Sequence, residues 1–378
     1  MELSEIRKEI DRVDDGLLAL FLERMDLAEQ VAAAKQAQGL PILNKERERA
    51  VLARVTAAAG ERERGAFQLY STLFALARQR QAELLDLPTP LGDRLRAALA
   101  AETDLFPQTG SVACQGTEGG NSQAACDRLL PRGNIMYVKS FEAVFGAVES
   151  DLCRFGVLPV ENSTNGSVRQ VYALLTQRNA FIVRSARLNI RHCLLALPGA
   201  NLGEIDVIYS HQQALGQCSR FLGTLPGVRT VACANTAEAA RLVAESGNRR
   251  AAAIAAPGCA ALYGLSCLRD DIMDSDNNYT RFVCIAREPA VYAGADRISL
   301  AVSCDNQPGA LYSLLGKLAA LGINMTKLES CPVVGSDFEF LFFLELEADP
   351  REPGVLPMLE ALARDCRSAR LLGCYREV

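Results

Sequence analysis

Between residues 6 and 31 the apolar side chains Ile6, Ile10, Val13, Leu17 and Leu20 step by four and three and resume at Leu27 and Val31. That is the spacing of one helix packing along another. One member of the series is missing, and Arg24 stands in its place. A charge on a packed seam is costly unless it is paired or liganded. Lys35 follows eleven residues later, and at about 100° per residue it returns to within about 20° of Arg24, so both cations face one interior. Phe67, Phe74 and Gln81, at steps of seven, repeat the anomaly with an amide in third place. Asn44 and Glu48 lie four apart with Arg47 beside them, on one face of a further helix. Any one of these alone is more often part of a surface ion pair than of a site. Jointly they describe an anion pocket in a helical core. Arg7 and Arg24 are separated by about 26 Å of helix, too far for one small ligand to touch both. An Arg7 that binds the same kind of ligand as Arg24 does so in a second subunit's site, which makes the long helices interlock as a dimer.

The pattern changes three times along the chain. Residues 1–87 are helical, with breaks at Gly39 to Pro41 and Gly60 to Gly65, which gives three helices. Residues 88–109, with Pro88, Pro90, Gly92 and Pro107, form a linker with one short helix near Arg94 to Ala101. Residues 110–287 alternate short apolar strands with helical stretches, the pattern of an α/β domain. After a break at 288–295, residues 296–378 run strand (Ile298, Leu300, Val302 and Cys304 at period two), helix (Ala310–Leu321), strand, strand (Phe338–Leu346), helix (Val355–Cys366), strand. This βαββαβ order is that of a small α+β ferredoxin-like sandwich.

Several function classes are excluded. A net charge of -5 argues against a nucleic-acid partner, which calls for clustered basic excess. The thirteen cysteines include no C-x-x-C pair and only His192 and His211 accompany them; this suits a reducing compartment, with cysteines as small buried hydrophobes and no metal. No phosphate loop or dinucleotide motif occurs, so no cofactor is expected. The start is charged from its second residue, and no apolar run approaches the ~18 residues of a membrane span; a cytoplasmic protein without membrane contact is expected.

The segments I-R-K-E-I-D, L-F-L-E-R, V-A-A-A-K and R-E-R of the first 85 residues resemble the all-helical chorismate mutases. The resemblance implies substrate binding by Arg7, Arg24, Lys35, Asn44, Arg47, Glu48 and Gln81. Asn44 stands where that family often has Asp, and Ala77 where a Ser is common. The implied reaction is an intramolecular rearrangement, for which positioning suffices. Arg24 and the partner's Arg7 would clamp two carboxylates while Lys35 and Gln81 hydrogen-bond the breaking ether oxygen.

Four polar segments of the middle region fall at strand ends or helix starts: Glu161-Asn162-Ser163, Ser210-His211-Gln212-Gln213-Ala214-Leu215, Asn235-Thr236-Ala237 and Asn277 to Phe282. Singly, each is more often a cap or turn than a site. With Gly116-Thr117-Glu118-Gly119 they resemble the prephenate dehydratases over about residues 110–286, with Gln212 replacing a Pro and Asn235 a Ser. That resemblance implies two α/β subdomains with the site in the cleft between them. Thr280 would assist the leaving hydroxyl as donor or relay, with Glu161 or His211 as alternative proton sources. Arg281 would hold a substrate carboxylate, and Glu161, Asn162, Ser163, Ser210, His211, Gln213, Thr236, Asn278 and Phe282 would complete the site.

Gly309-Ala310-Leu311-Tyr312 and Glu329-Ser330-Cys331-Pro332 resemble the ACT domain of this enzyme family, with Cys331 where Arg is usual. The resemblance implies phenylalanine binding at Gly309, Ala310, Leu311, Asn324, Glu329 and Ser330. The whole is then similar to the bifunctional chorismate mutase/prephenate dehydratases. Such a chain turns chorismate into prephenate and prephenate into phenylpyruvate under feedback by L-phenylalanine, without a cofactor, as a homodimer or larger. Two rival readings stand beside it: dehydration of arogenate instead, or a non-catalytic amino-acid-binding protein.

Overall fold

The computed structural model describes residues 2–85, 87–101, 105–306, 309–332 and 340–378. Three helices, α1 (Leu3–Gln38), α2 (Lys45–Ala59) and α3 (Glu63–Leu84), form the N-terminal module, with α3 packed against both others. Gly39 stops α1: at φ 66° it takes the left-handed conformation, and its own amide and that of Leu40 return to the carbonyls of Gln36 and Lys35. Asn44 then starts α2, its Oδ1 accepting from the Arg47 amide at 2.9 Å. Of α1 only Ala28 and Ala32 are buried. Ile6, Ile10, Val13, Leu17 and Leu20 lie open to solvent in the single chain, so the seam read from the sequence is present but has no partner among the described residues.

The segment expected to link two domains is part of a core instead. Thr89 caps α4 (Pro90–Ala100) by accepting from the Gly92 amide at 3.0 Å, and Pro90 occupies the first turn. Leu91, Leu95 and Ala98 are buried against Leu359 and Leu362 of the C-terminal module. Residues 102–104 of the expected linker lie outside the described residues.

The middle region folds as two lobes. Lobe one comprises β1 (Thr109–Gln115), α5 (Asn121–Leu129), β2 (Arg132–Val138), α6 (Phe141–Glu149), β3 (Phe155–Asn162), β4 (Gly166–Ser167), α7 (Arg169–Gln177) and β5 (Phe181–Asn189). The chain crosses into lobe two through β6 (Cys193–Ala196), β7 (Val207–His211), α8 (Gln212–Gln217), α9 (Ser219–Gly223), β8 (Arg229–Cys233), α10 (Thr236–Ser246), β9 (Ala251–Ala255), α11 (Gly258–Tyr263) and β10 (Ser266–Arg269). It returns to lobe one as β11 (Tyr279–Ala286), which lies between β3 and β5. Lobe two has its own five-stranded sheet in the order β10-β6-β9-β7-β8.

The C-terminal module has the expected βαββαβ order: β12 (Arg297–Ser303), α12 (Ala310–Ala320), β13 (Asn324–Pro332), β14 (Phe340–Glu347), α13 (Val355–Asp365) and β15 (Ser368–Tyr375). Phe338, the expected start of the fourth element, lies outside the described residues. Its sheet, β13-β14-β12-β15, continues into lobe one because β15 pairs with β5 at Gly373 and Ile182. A side chain at Gly373 would collide with the Ile182 carbonyl, so glycine is what lets the two backbones meet. Tyr172 of α7 also packs at a tilt against Phe343 of β14, centroids 4.7 Å apart. No helix among the described residues is long and apolar enough to cross a membrane.

Candidate functional site

In the helical module Arg24 and Lys35, two of the four cations read from the sequence, face one interior. Lys35 donates to the Ile42 carbonyl and to Gln81 Oε1, the latter at 3.5 Å, and Gln81 is buried on α3. Arg24 donates to the Leu73 carbonyl at 3.0 Å and lies over the Phe74 ring. Burial lowers the pKa of both cations, and the field of Glu48 opposes it. Glu48 also pairs with Arg78 at 2.6 Å. Arg78 was not singled out in the sequence; its place three residues before Gln81 puts it on the same face of α3. Asn44 spends its side-chain oxygen on the helix cap. Arg47 is exposed, and Arg7 lies far along the open end of α1, exposed and away from this cluster.

Between the two lobes lies a cleft of about 410 Å³. Its centre is Asn162, at the end of β3. The Asn162 amide nitrogen donates to Asn278 Oδ1 and Thr280 Oγ1, each at 2.9 Å, and its oxygen accepts from the amides of Thr164 and Asn165. Thr280 thereby receives a hydrogen bond, which leaves its own O–H proton to be donated elsewhere. Asn278 continues the chain to Gln217 Oε1 at 3.2 Å. Of the residues named from the sequence, Asn162, His211, Gln213, Thr236, Asn278, Thr280 and Phe282 line the cleft.

Four others do not line it. Ser163 pins the turn, accepting from the Tyr279 amide and donating to the Asn277 carbonyl, both at 2.9 Å. Ser210 is fully buried and donates to the Ile254 carbonyl at 2.7 Å. Glu161 and Arg281, expected in the cleft, point the other way, because side chains alternate along a strand and their neighbours Asn162 and Thr280 take the inward face. Arg281 is enclosed by Glu161, Glu345 and Glu377. Glu161 accepts from Lys327 of β13 at 3.1 Å, and Lys327 also donates to Ser167 Oγ at 2.6 Å. Arg281 is thus a strut to the C-terminal module.

Among the described residues, no lysine or arginine lines the cleft. Two helix starts line it: Gly120, Asn121 and Ser122 open α5, and Asn235 and Thr236 open α10. Backbone amides at such starts bind carboxylates. Thr117 of lobe one reaches Asn235 of lobe two at 3.3 Å, so the G-x-x-G turn closes on the opposite helix. The sequence reading also missed His192, buried in the cleft wall with Nδ1 unpartnered among the described residues. Burial lowers its pKa.

At the C-terminal module, Ser303, Leu341 and Cys331 share one row of the sheet while Arg297, Glu347 and Asn324 share the row at its far end. Glu329 and Ser330 therefore stand near the former row. Gly309, at φ 85°, caps the start of α12, where Ala310 and Leu311 follow. Asn324 is at the opposite end of β13, bonded to Glu347 at 2.9 Å, so one chain does not bring it to Glu329. Ala310 also faces α2 and α3 across a second cavity of about 410 Å³. Gln68 of α3 bonds Tyr312 of α12 at 2.9 Å.

A helical module with cations on its packed interior, joined to a two-lobed cleft built on Asn162 and Thr280, defines an enzyme with two separate small-molecule sites. The chorismate mutase type II family model matches residues 6–82, and the prephenate dehydratase model residues 112–290. The chain is 30% identical to the bifunctional chorismate mutase/prephenate dehydratase of Escherichia coli strain K12, over 99% of this chain and 96% of that one. It is 36% identical to arogenate dehydratase/prephenate dehydratase 1, chloroplastic, of Arabidopsis thaliana, over 70% of this chain and 71% of the plant protein. The crystal structure of a prephenate dehydratase in complex with L-Phe from Arthrobacter aurescens has a TM-score of 0.64 at 28% identity, covering 70% of this chain and 89% of that one. The chain belongs to the family of bifunctional chorismate mutase/prephenate dehydratases.

Proposed function

We propose that the helical module rearranges chorismate to prephenate and that the cleft converts prephenate to phenylpyruvate. In the first site Arg24 and the partner's Arg7 hold the two carboxylates in the compact conformer. Lys35 and Gln81 meet the ether oxygen as charge develops on it, and Glu48 is held in place by Arg78. The open apolar seam of α1 supports the dimer that this arrangement requires.

In the second site the ring carboxylate leaves as CO2, its bonding electrons enter the ring, and the C4–O bond breaks. A proton delivered to the departing hydroxyl makes water, and aromatisation drives the step. The observation that carries this reading is the Asn162–Thr280 hydrogen bond, which orients the Thr280 proton away from Asn162 and toward the leaving group. Substrate carboxylates rest on the α5 and α10 starts. His192, kept neutral by burial, can relay the proton with His211. Separate turnover assays of chorismate and prephenate on the full chain test the assignment; a chain that turns over neither refutes it.

The C-terminal module is proposed as an ACT sensor for L-phenylalanine at Gly309, Ala310, Leu311, Glu329 and Ser330, with Asn324 supplied by a second chain. Lys327 carries the signal, since it joins β13 to Glu161 beside Asn162. The likeness to the plant arogenate dehydratase favours one second reading, arogenate in place of prephenate. The ratio of kcat/KM for the two substrates decides between them.

A further inference from the structure

Cys193 opens β6 and Cys267 lies on β10, strands that pair at one edge of the lobe-two sheet, and Asp270 follows in the turn after β10. Their side chains converge. Both thiols donate to the same carboxylate oxygen, Asp270 Oδ1, at 3.5 Å from Cys193 and 2.9 Å from Cys267. All three potential ligand atoms lie within 4.8 Å of one another. In a tetrahedral zinc centre with metal–sulfur distances of ~2.3 Å and metal–oxygen of ~2.0 Å, the S···O edges are about 3.5 Å and the S···S edge about 3.8 Å. The Cys193–Asp270 separation matches the S···O edge, the Cys267–Asp270 separation is shorter than it, and the two sulfurs lie within 4.8 Å of each other.

The backbone supports the same reading. Asp271 has a φ of 46°, and only it and Asp151 among the described non-glycine residues occupy the left-handed region. Such a conformation is a small strain that persists where surrounding structure demands it. Here the turn also sets the Ile272 amide on the His192 carbonyl, next to Cys193, at 3.2 Å. Cys193 is buried while Cys267 and Asp270 are exposed. The set is therefore anchored inside and open outside, with room for entry and a fourth ligand. None of the three lines the dehydratase cleft.

We propose that Cys193, Cys267 and Asp270 bind one thiophilic divalent cation of the zinc class, with water as fourth ligand. Two thiol protons leave as two metal–sulfur bonds form, and no electron is transferred. The ion clips β6 to the 270–274 turn, whose Ile272 amide holds the His192 carbonyl at 3.2 Å and whose Asp274 carboxylate accepts from Ser219 at 2.6 Å. The turn leads into the Asn277–Phe282 segment, so the role is structural, bracing one wall of the cleft. A sequence search for paired ligands overlooks the set because Cys193 and Cys267 stand 74 positions apart.

The test uses the full chain, reduced, treated with chelator and titrated with Cd²⁺ against a weak competing chelator. The expected result is one equivalent bound, a cadmium–thiolate charge-transfer band, displacement by Zn²⁺ and a raised melting temperature. Cys267→Ser and Asp270→Asn, both at the surface, should weaken binding at least tenfold, whereas Cys304→Ser should leave it unchanged. No thiolate band in the wild-type protein, or a band equally strong in Cys267→Ser, overturns the proposal. So does a Cys193–Cys267 disulfide that forms in preference to the complex when Zn²⁺ is present.

Discussion

Glu161 and Asn162 are consecutive on β3 yet serve opposite faces of the sheet: Asn162 holds Thr280 in the cleft, and Glu161 is held by Lys327 of the C-terminal module. A displacement of β13 can therefore reach the cleft through a single peptide unit. Lys327 is central to that contact, with Glu161, Glu329, Ser167 and the Tyr172 ring around it. Burial works to lower its pKa, but the fields of Tyr172, Glu161 and Glu329 outweigh it and raise the value.

Lys327→Met is accordingly expected to separate sensing from catalysis. Loss of the charged hydrogen bonds should cost about 1.5–3 kcal/mol of stability, read as a lower melting temperature. It should also remove most of a phenylalanine effect that, at a coupling of ~1–3 kcal/mol, amounts to about 5–150-fold in prephenate affinity. Mutase turnover should stay at the wild-type level. A variant that remains as phenylalanine-sensitive as the parent rules out this route.

Asn162→Asp tests the proton direction at Thr280. The change is nearly isosteric, but a carboxylate accepts where the amide donated, so Thr280 would turn its proton toward residue 162 and away from the substrate. A fall of about 10²–10³ in dehydratase kcat is expected, with Thr280→Ala giving a similar loss and the double variant little more. Additive losses would mean that the two residues act separately.

Arg24→Ala should lower mutase kcat/KM by about 10–150-fold, the equivalent of about 1.5–3 kcal/mol for a charged clamp, and spare the dehydratase. Equal loss of both activities would indicate general damage.

How far the sequence carries these conclusions depends on the kind of signal. Periodicity exposed Arg24, Lys35 and Gln81, because a polar residue on a seven-residue stripe is anomalous by itself. The βαββαβ order was likewise legible from alternation and helix length. The facing of β3 and β11 is implicit in the strand period: once Asn162 and Thr280 are placed inward, period two requires Glu161 and Arg281 to point outward. The role of α4 lay in its cap, Thr89 before Pro90, which a count of prolines read as linker. The start of α10 at Asn235 and Thr236 was legible as a helix cap, whereas the place of His192 in the cleft wall depends on long-range packing and carries no local pattern.

His192 makes the last prediction, a dependence of stability on pH. Its unfolded value is about 6.5, and burial lowers the folded value. Between the two, the unfolded chain binds the additional proton, so stability rises with pH across that window. The contribution is fully present above about pH 6.5 and is lost as pH falls through the folded pKa. His192→Gln keeps a neutral polar side chain that does not titrate. Urea unfolding of the dehydratase module at pH 7.5 and 5.5, followed by a probe in lobe two, should show a smaller acid loss in the variant than in the parent. Equal losses would place the acid sensitivity in other groups and count against the neutral His192 that the proposed relay requires.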